Sequence, residues 1–239
     1  MKPLLSIIIP SRNEKYLKQT IKDLLSKATG NIEIIAILDD CWGDIINDDR
    51  VHYIHFTESI GMRGSINAGV KLSKGKYLMK TDGHCLFAKG FDEILIKDCD
   101  KNWIVIPRRY ALDVKNWKIE ERTDHKYPID VMILNKNLQA IPTRERKDDS
   151  ILDIASFQGS CWFMHKDFYN ELNLLDEETY GTFWQEAQEI GFKCKAKNGR
   201  IKRNTKTWYA HWHKTKGRGY SLTEDKHKTR EAIKELYEG

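Results

Sequence analysis

Over the first hundred residues the chain alternates between unbroken apolar runs and segments whose apolar positions recur at helical spacing. Leu4–Pro10, Ile32–Leu38, Val51–Phe56 and Tyr77–Thr81 are short β-rich runs, each closed by a proline, a carboxylate or a turn. Between them, Leu17, Ile21, Leu24, Leu25 and Ala28 predict one helix, ended by Gly30 and Asn31. Gly61–Ser73 predicts another, with Gly64 and Gly69 leaving room for close packing. Strands apolar on both faces and separated by helices imply an α/β fold with a mostly parallel, Rossmann-like central sheet flanked by helices. Ligands of such sheets bind beyond the carboxyl ends of the strands. Those ends carry Ser11-Arg12-Asn13-Glu14, Asp39-Asp40 and Asp82-Gly83-His84, so three polar clusters are expected to converge on one crevice.

The pattern weakens over 107–150, where Arg108, Arg109, Arg144 and Arg146 mix with prolines. This stretch reads as an irregular insertion or acceptor flap. Order returns at Ile151–His165, expected as strand. A helix with a stripe at Ala187, Ile190, Gly191 and Cys194 follows, then a last strand over Lys206–His213. Residues 214–221 are basic and read as mobile, and Ala232, Ile233, Leu236 and Tyr237 form one face of an amphipathic C-terminal helix. The expected organisation is one domain over 1–213 and a basic segment with its helix over 214–239.

Composition narrows the class. At 40% hydrophobic and 31% charged, 239 residues suit a globular domain with its own core. No apolar run approaches the roughly 20 residues of a membrane span, and the apolar start is too short for a signal peptide, so no transmembrane segment is expected. Five scattered cysteines argue against a disulfide framework or zinc knuckle and favour a reducing cytoplasm. The net charge of +5 would suit anionic ligands such as diphosphates. A nucleic-acid-binding reading finds no motif, because the basic residues are spread along the chain.

Chemistry concentrates at the strand ends. Asp82 and His84 flank a glycine turn and can reach one divalent cation; mixed oxygen and nitrogen ligands suit manganese better than calcium. In Trp208-Tyr-Ala-His-Trp-His213 two histidines point to opposite faces of a strand. His211 is taken as the third ligand, with His213 as the alternative. Glu186 and Glu189 open a helix; Glu186 is the candidate catalytic carboxylate and Glu189 is expected to be solvated. Asp39 and Asp40 suit ribose or base hydroxyls, and Arg12 or Arg63 suits a diphosphate. No G-x-G-x-x-G or Walker loop is present, which excludes nicotinamide and P-loop chemistry.

These motifs carry a resemblance. Leu5-Ser-Ile-Ile-Ile-Pro-Ser-Arg-Asn-Glu14 and the stretch from Gly61 to Cys85 resemble family 2 glycosyltransferases and their GT-A relatives. Asp82-Gly-His-Cys85 looks more like the metal motif of the polypeptide N-acetylgalactosaminyltransferases. Gln158–Tyr169 and Gln185–Arg200 are similar to that family's later segments, with Glu186 and Glu189 at its spacing and its third metal ligand falling on His211. Asn198 stands where that family has the second glycine of a pair, and its lectin domain and membrane anchor have no counterpart here.

The resemblance implies a GT-A fold and transfer of a sugar from a nucleotide-diphosphate donor, UDP-sugar foremost, with Mn2+ or Mg2+ as cofactor. The donor would lie against Ser11, Asn13, Glu14, Asp39, Arg63 and Asp82, and Glu186 would orient a substrate or act as general base. The acceptor, a glycan, protein or lipid-linked group, is not implied. The N-acetylgalactosaminyltransferase-like motifs imply retention and the family 2 opening implies inversion. A non-catalytic sugar-nucleotide or carbohydrate binder is the competing reading.

Overall fold

The computed structural model describes residues 3–121, 128–143, 151–214 and 226–238. The first half follows the apolar pattern closely: β1 (Leu5–Ser11), α1 (Leu17–Lys27), β2 (Ile32–Asp39), β3 (Val51–Phe56), α2 (Gly61–Leu72) and β4 (Tyr77–Thr81). β5 (Cys85–Phe87), α3 (Phe91–Lys97), β6 (Trp103–Asp113) and β7 (Lys118–Ile119) come next, then β8 (Met132–Leu134), β9 (Ala140–Pro142) and β10 (Leu152–Asp153). The chain continues through β11 (Cys161–His165), α4 (Lys166–Glu171), α5 (Glu177–Tyr180), α6 (Glu186–Ala196), β12 (Arg200–His211) and α7 (Lys226–Glu238).

The main sheet runs β10-β12-β6-β11-β4-β1-β2-β3, with β5 added to β12 and β7 to β6. β3, β2, β1 and β4 are mutually parallel, as are β6 and β12, while β11 enters antiparallel between β4 and β6. Alternation along β1 feeds two cores. Ile7 and Ile9 pack with α1 residues Leu17, Ile21 and Leu24 on one face. Ile8 packs on the other with Ile66 and Val70 of α2 and Ile190 of α6. Burying side chains of this size stabilises the fold by roughly 1.5–3 kcal/mol each. α7 docks on α5 and α6, where Thr229 Oγ1 donates to the Tyr180 carbonyl at 2.6 Å and Tyr237 meets Phe192.

Three expectations are corrected. The irregular stretch does not begin at 107, because Pro107–Asp113 completes β6. Its arginines are accommodated there: Arg108 Nε donates to Asp130 at 2.8 Å and Arg109 Nε to the Ile129 carbonyl at 2.9 Å. The span 151–165 is two strands rather than one, separated by the segment that contains Gly159. The last strand begins at Arg200, six residues before the expected Lys206, and ends at His211. Arg144, Arg146 and residues 215–221 lie outside the described residues. Among those described, no helix is long and apolar enough to cross a membrane.

Candidate metal centre and its buried carboxylates

β4 delivers Asp82, the glycine turn follows, and β5 begins at Cys85. The end of β12 pairs antiparallel with β5, so that His211 stands opposite Cys85, and the Trp212 amide donates to the His84 carbonyl at 3.2 Å. This pairing brings His211 to the Asp82–His84 turn across 127 residues of sequence. His84 Nε2 lies 3.1 Å from His211 Nε2, and Asp82 Oδ2 lies 3.2 Å from His211 Nε2 and 3.9 Å from His84 Nε2. The three potential ligand atoms all fall within 4.8 Å of one another. Donors about 2.0–2.2 Å from one ion sit about 3 Å apart, so this N, N, O set fits a divalent cation. Asp82 keeps a quarter of its side chain exposed, which leaves an open side for a ligand.

The surrounding groups hold these atoms in place. Glu14 Oε2 accepts from His84 Nδ1 at 2.8 Å, which turns Nε2 toward the cluster, and Lys214 bonds the other Glu14 oxygen. Burial alone would raise the Glu14 pKa, but His84 and Lys214 bring it below the ordinary carboxylate value. A side chain at Gly83 would stand 3.2 Å from Glu14 Cβ, so the turn's glycine permits this approach. Burial pushes His211 down to about 3, against the opposing pull of Asp82, and keeps its imidazole neutral. Lys80 Nζ donates to Asp82 Oδ1 at 2.8 Å and leaves Oδ2 facing the histidines. Burial of Asp82 would raise its pKa, but Lys80 and the two histidines drive it far below the usual range. Lys80 is itself only 1% exposed; the desolvation that would lower its pKa is overcome by Asp82 and Glu186, which raise it.

Glu186 joins this network from the far side. Trp162 Nε1 donates to its Oε1 at 2.6 Å, and Lys80 lies 3.3 Å from its Oε2. Burial raises its pKa, with Lys80 opposing. A Cβ at Gly159 would come within 2.8 Å of Oε2, so glycine there makes the contact possible. Gln185, which caps α6, has φ 53°, strained for a residue with a side chain. At the helix's other end Asn198 takes φ 54°, the left-handed conformation asparagine tolerates, in place of glycine.

The remaining candidates scatter in role. Ser11 is buried, and its carbonyl accepts from Cys41 Sγ; Asn13 is exposed at φ 54°. Arg12 pairs with Asp40 at 3.0 Å. Asp39 does not present a free carboxylate. Its oxygens accept from Ser59 Oγ at 2.8 Å and from the Ile60 and Gly61 amides at 2.7 and 3.2 Å, fixing the start of α2. Arg63, expected at the phosphates, is fully buried and bonds Glu189 and the Gly181 and Trp184 carbonyls. Glu189, expected to be solvated, is also fully buried and accepts from the Leu175 amide at 2.7 Å. An amphipathic reading of α6 misplaces both glutamates, because buried Arg63 and Lys80 supply the cations that let them face inward. His213 is exposed, with Nε2 3.0 Å from Arg109 Nη1, outside the cluster. Lys80 escaped the sequence reading; its place two residues before Asp82, in a strand otherwise apolar, was the available signal.

Comparison with known proteins agrees with this architecture. The model of the family described as glycosyl transferase family 2 matches residues 6–172. The glycosyltransferase GlyG of Streptococcus pneumoniae is 24% identical over 80% of this chain and 68% of its own length. An uncharacterized glycosyltransferase of Bacillus subtilis, EpsJ, is 30% identical over 44% of this chain and 33% of its own. Among solved structures, GalNAc-T7 with UDP, GalNAc and Mn2+ superposes with a TM-score of 0.80 at 16% identity, over 99% of this chain and 48% of that one. At that identity the likeness shows the GT-A fold alone, and the chain spans about half of that relative's length. Because the family model covers well over half of the sequence, the chain belongs to glycosyl transferase family 2.

Proposed function

We propose that this glycosyltransferase is metal-dependent and moves a sugar from a UDP-sugar-type donor, with Asp82, His84 and His211 holding Mn2+ or Mg2+. The observation that carries the reading is the meeting of two imidazole Nε2 atoms and one carboxylate oxygen at a partly exposed point. A divalent cation there would neutralise the donor diphosphate and stabilise the charge that develops on the leaving group. The protein's own part is pre-organisation. Glu14 fixes the His84 ring, burial keeps His211 unprotonated, and Lys80 holds Asp82 ionised and pointed. The UDP and Mn2+ bound to the GalNAc-T7 neighbour support the same donor and ion.

Glu186 is assigned as a positioning residue. With 6% exposure and oxygens engaged by Trp162 and Lys80, it acts on the site through Lys80 and Asp82 rather than by touching a sugar. We propose that the nucleotide runs along Ser11–Asn13, beside the metal, with Asp39 acting through the start of α2 that its oxygens fix. The transferase unit is taken as 1–213, with the stretch that follows β6, from 114 on, as the acceptor flap. Five free thiols favour a reducing, cytoplasmic setting.

The test is UDP release from a panel of UDP-sugars with Mn2+, with Mg2+ and with chelator. Metal-dependent turnover of at least one donor is expected. Binding of UDP-sugar and Mn2+ without turnover, even with candidate acceptors supplied, would favour the non-catalytic binder instead. Turnover unaffected by chelator would remove the metal from the reading.

A further inference from the structure

Beside α1 runs a groove of roughly 940 Å3 that no step above uses. Trp117, Trp208 and Leu86 line it, together with three lysines, Lys118 among them, and the two glutamates Glu120 and Glu121. Lys118 and Glu121 are largely exposed and pair with each other at 3.4 Å, so the groove combines aromatic residues with solvent-facing charged groups of both signs.

Trp117 is held there under strain. Its φ of 50° is an outlier for so large a residue, and its side chain lies beside the Asp23 carboxylate, which accepts from the Phe87 amide at 2.7 Å. From Trp117 the aromatic rings continue in three steps to the candidate metal centre: 6.1 Å to Tyr16, 5.3 Å to Trp212 and 5.8 Å to His84.

We propose that this groove binds carbohydrate, as a subsite for the sugar units of a saccharide acceptor that lie beyond the one being modified. Sugar rings present apolar C–H faces that stack on indoles and equatorial hydroxyls that pair with lysine and carboxylate groups, which is the pattern on this wall. A volume near the upper end of ordinary ligand pockets suits several rings rather than one. The aromatic file links the groove wall to the candidate metal centre through ring contacts. The mixed charge of the rim argues for a neutral saccharide over a polyanion. The assignment rests on the transferase reading, since it names that reaction's acceptor class.

Fluorotryptophan NMR on the full chain with Mn2+ and UDP, titrated with neutral oligosaccharides and with a peptide control, tests it. The Trp117 and Trp208 resonances, assigned through Trp117→Phe and Trp208→Phe, should shift with a saccharide, and that of the exposed Trp42 should not. Trp117→Ala should weaken saccharide binding about tenfold while Mn2+ and UDP affinity stay as in the wild type. Saccharide binding that leaves both resonances unmoved, no binding in protein that holds Mn2+ and UDP, or a response to peptide alone would overturn the groove assignment. Saccharide shifts in a protein that binds neither Mn2+ nor UDP would instead support the groove and overturn the transferase reading.

Discussion

Helix α6 carries two buried glutamates one turn apart, and they belong to different kinds of network. Glu189 closes on itself: Arg63 lies at 3.1 Å, Lys193 at 2.9 Å, and the Leu175 and Asp176 amides fill its other acceptor positions. Glu186 opens outward through Lys80 to Asp82, whose second oxygen faces the histidines and solvent. Both sit in the same core and at the same helix end. A buried charge whose partners are all internal can only stabilise or constrain the fold. One whose chain of partners ends on exposed ligand atoms can pass its field to a substrate. Burial alone therefore does not separate structure from function here; the end point of the network does.

The strongest way to break this contrast is at the open end. Asp82→Asn should lower Mn2+ affinity and turnover by more than about a hundredfold, beyond the range typical of outer-sphere changes, with little loss of stability. Measured Mn2+ affinity and thermal midpoint would both be needed, since an equal drop in stability would make Asp82 a fold residue.

At the closed end, Arg63→Met should cost about 3 kcal/mol in denaturant unfolding, because Glu189 loses its main cation in a fully buried site. The folded fraction should bind Mn2+ as the wild type does. Weakened metal binding in that fraction would merge the two networks.

Glu186→Gln lies between them. The amide can still accept from Trp162 but no longer balances Lys80, so turnover and Mn2+ affinity should fall by up to about tenfold with little change in thermal midpoint. A midpoint drop as large as that of Arg63→Met, at unchanged turnover, would move Glu186 into the closed class.

The smallest effect concerns Asp23, which accepts from the Phe87 amide and lies beside Trp117. Burial pushes it up to about 6, so the folded state holds this proton more tightly than the unfolded chain does. Its contribution to stability is greatest in acid and declines as pH rises through about 6. Asp23→Asn should raise the melting temperature modestly at pH 7 and flatten its slope between about pH 4 and 6. An unchanged slope would show that Asp23 titrates normally.

How much of this was legible in the sequence follows from the same physics. β1, β2 and β4 read directly because they are buried on both faces and so are largely apolar, with Pro10, Asp39 and Gly75 as punctuation. β6 and the first half of β12 did not. Arg108, Arg109, Lys202 and Arg203 look like a solvated stretch, and only the fold shows Asp130 and the Ile129 carbonyl waiting for the arginines. The Asp82, His84 and His211 cluster was readable because each residue ends or follows a strand. Arg63, Lys80 and Glu189 were misread or missed for one reason: their partners lie far off in sequence, and a charge with no visible partner is taken to be solvated.

The central claim is that two imidazoles and one carboxylate share a cation, and pulsed EPR of bound Mn2+ reads directly coordinated nitrogens. Two are expected in the wild type and in His213→Ala, and one fewer in each of His84→Ala and His211→Ala, if those variants still bind the ion. A wild-type spectrum with no coordinated nitrogen, or a His211→Ala spectrum identical to it, would contradict the account.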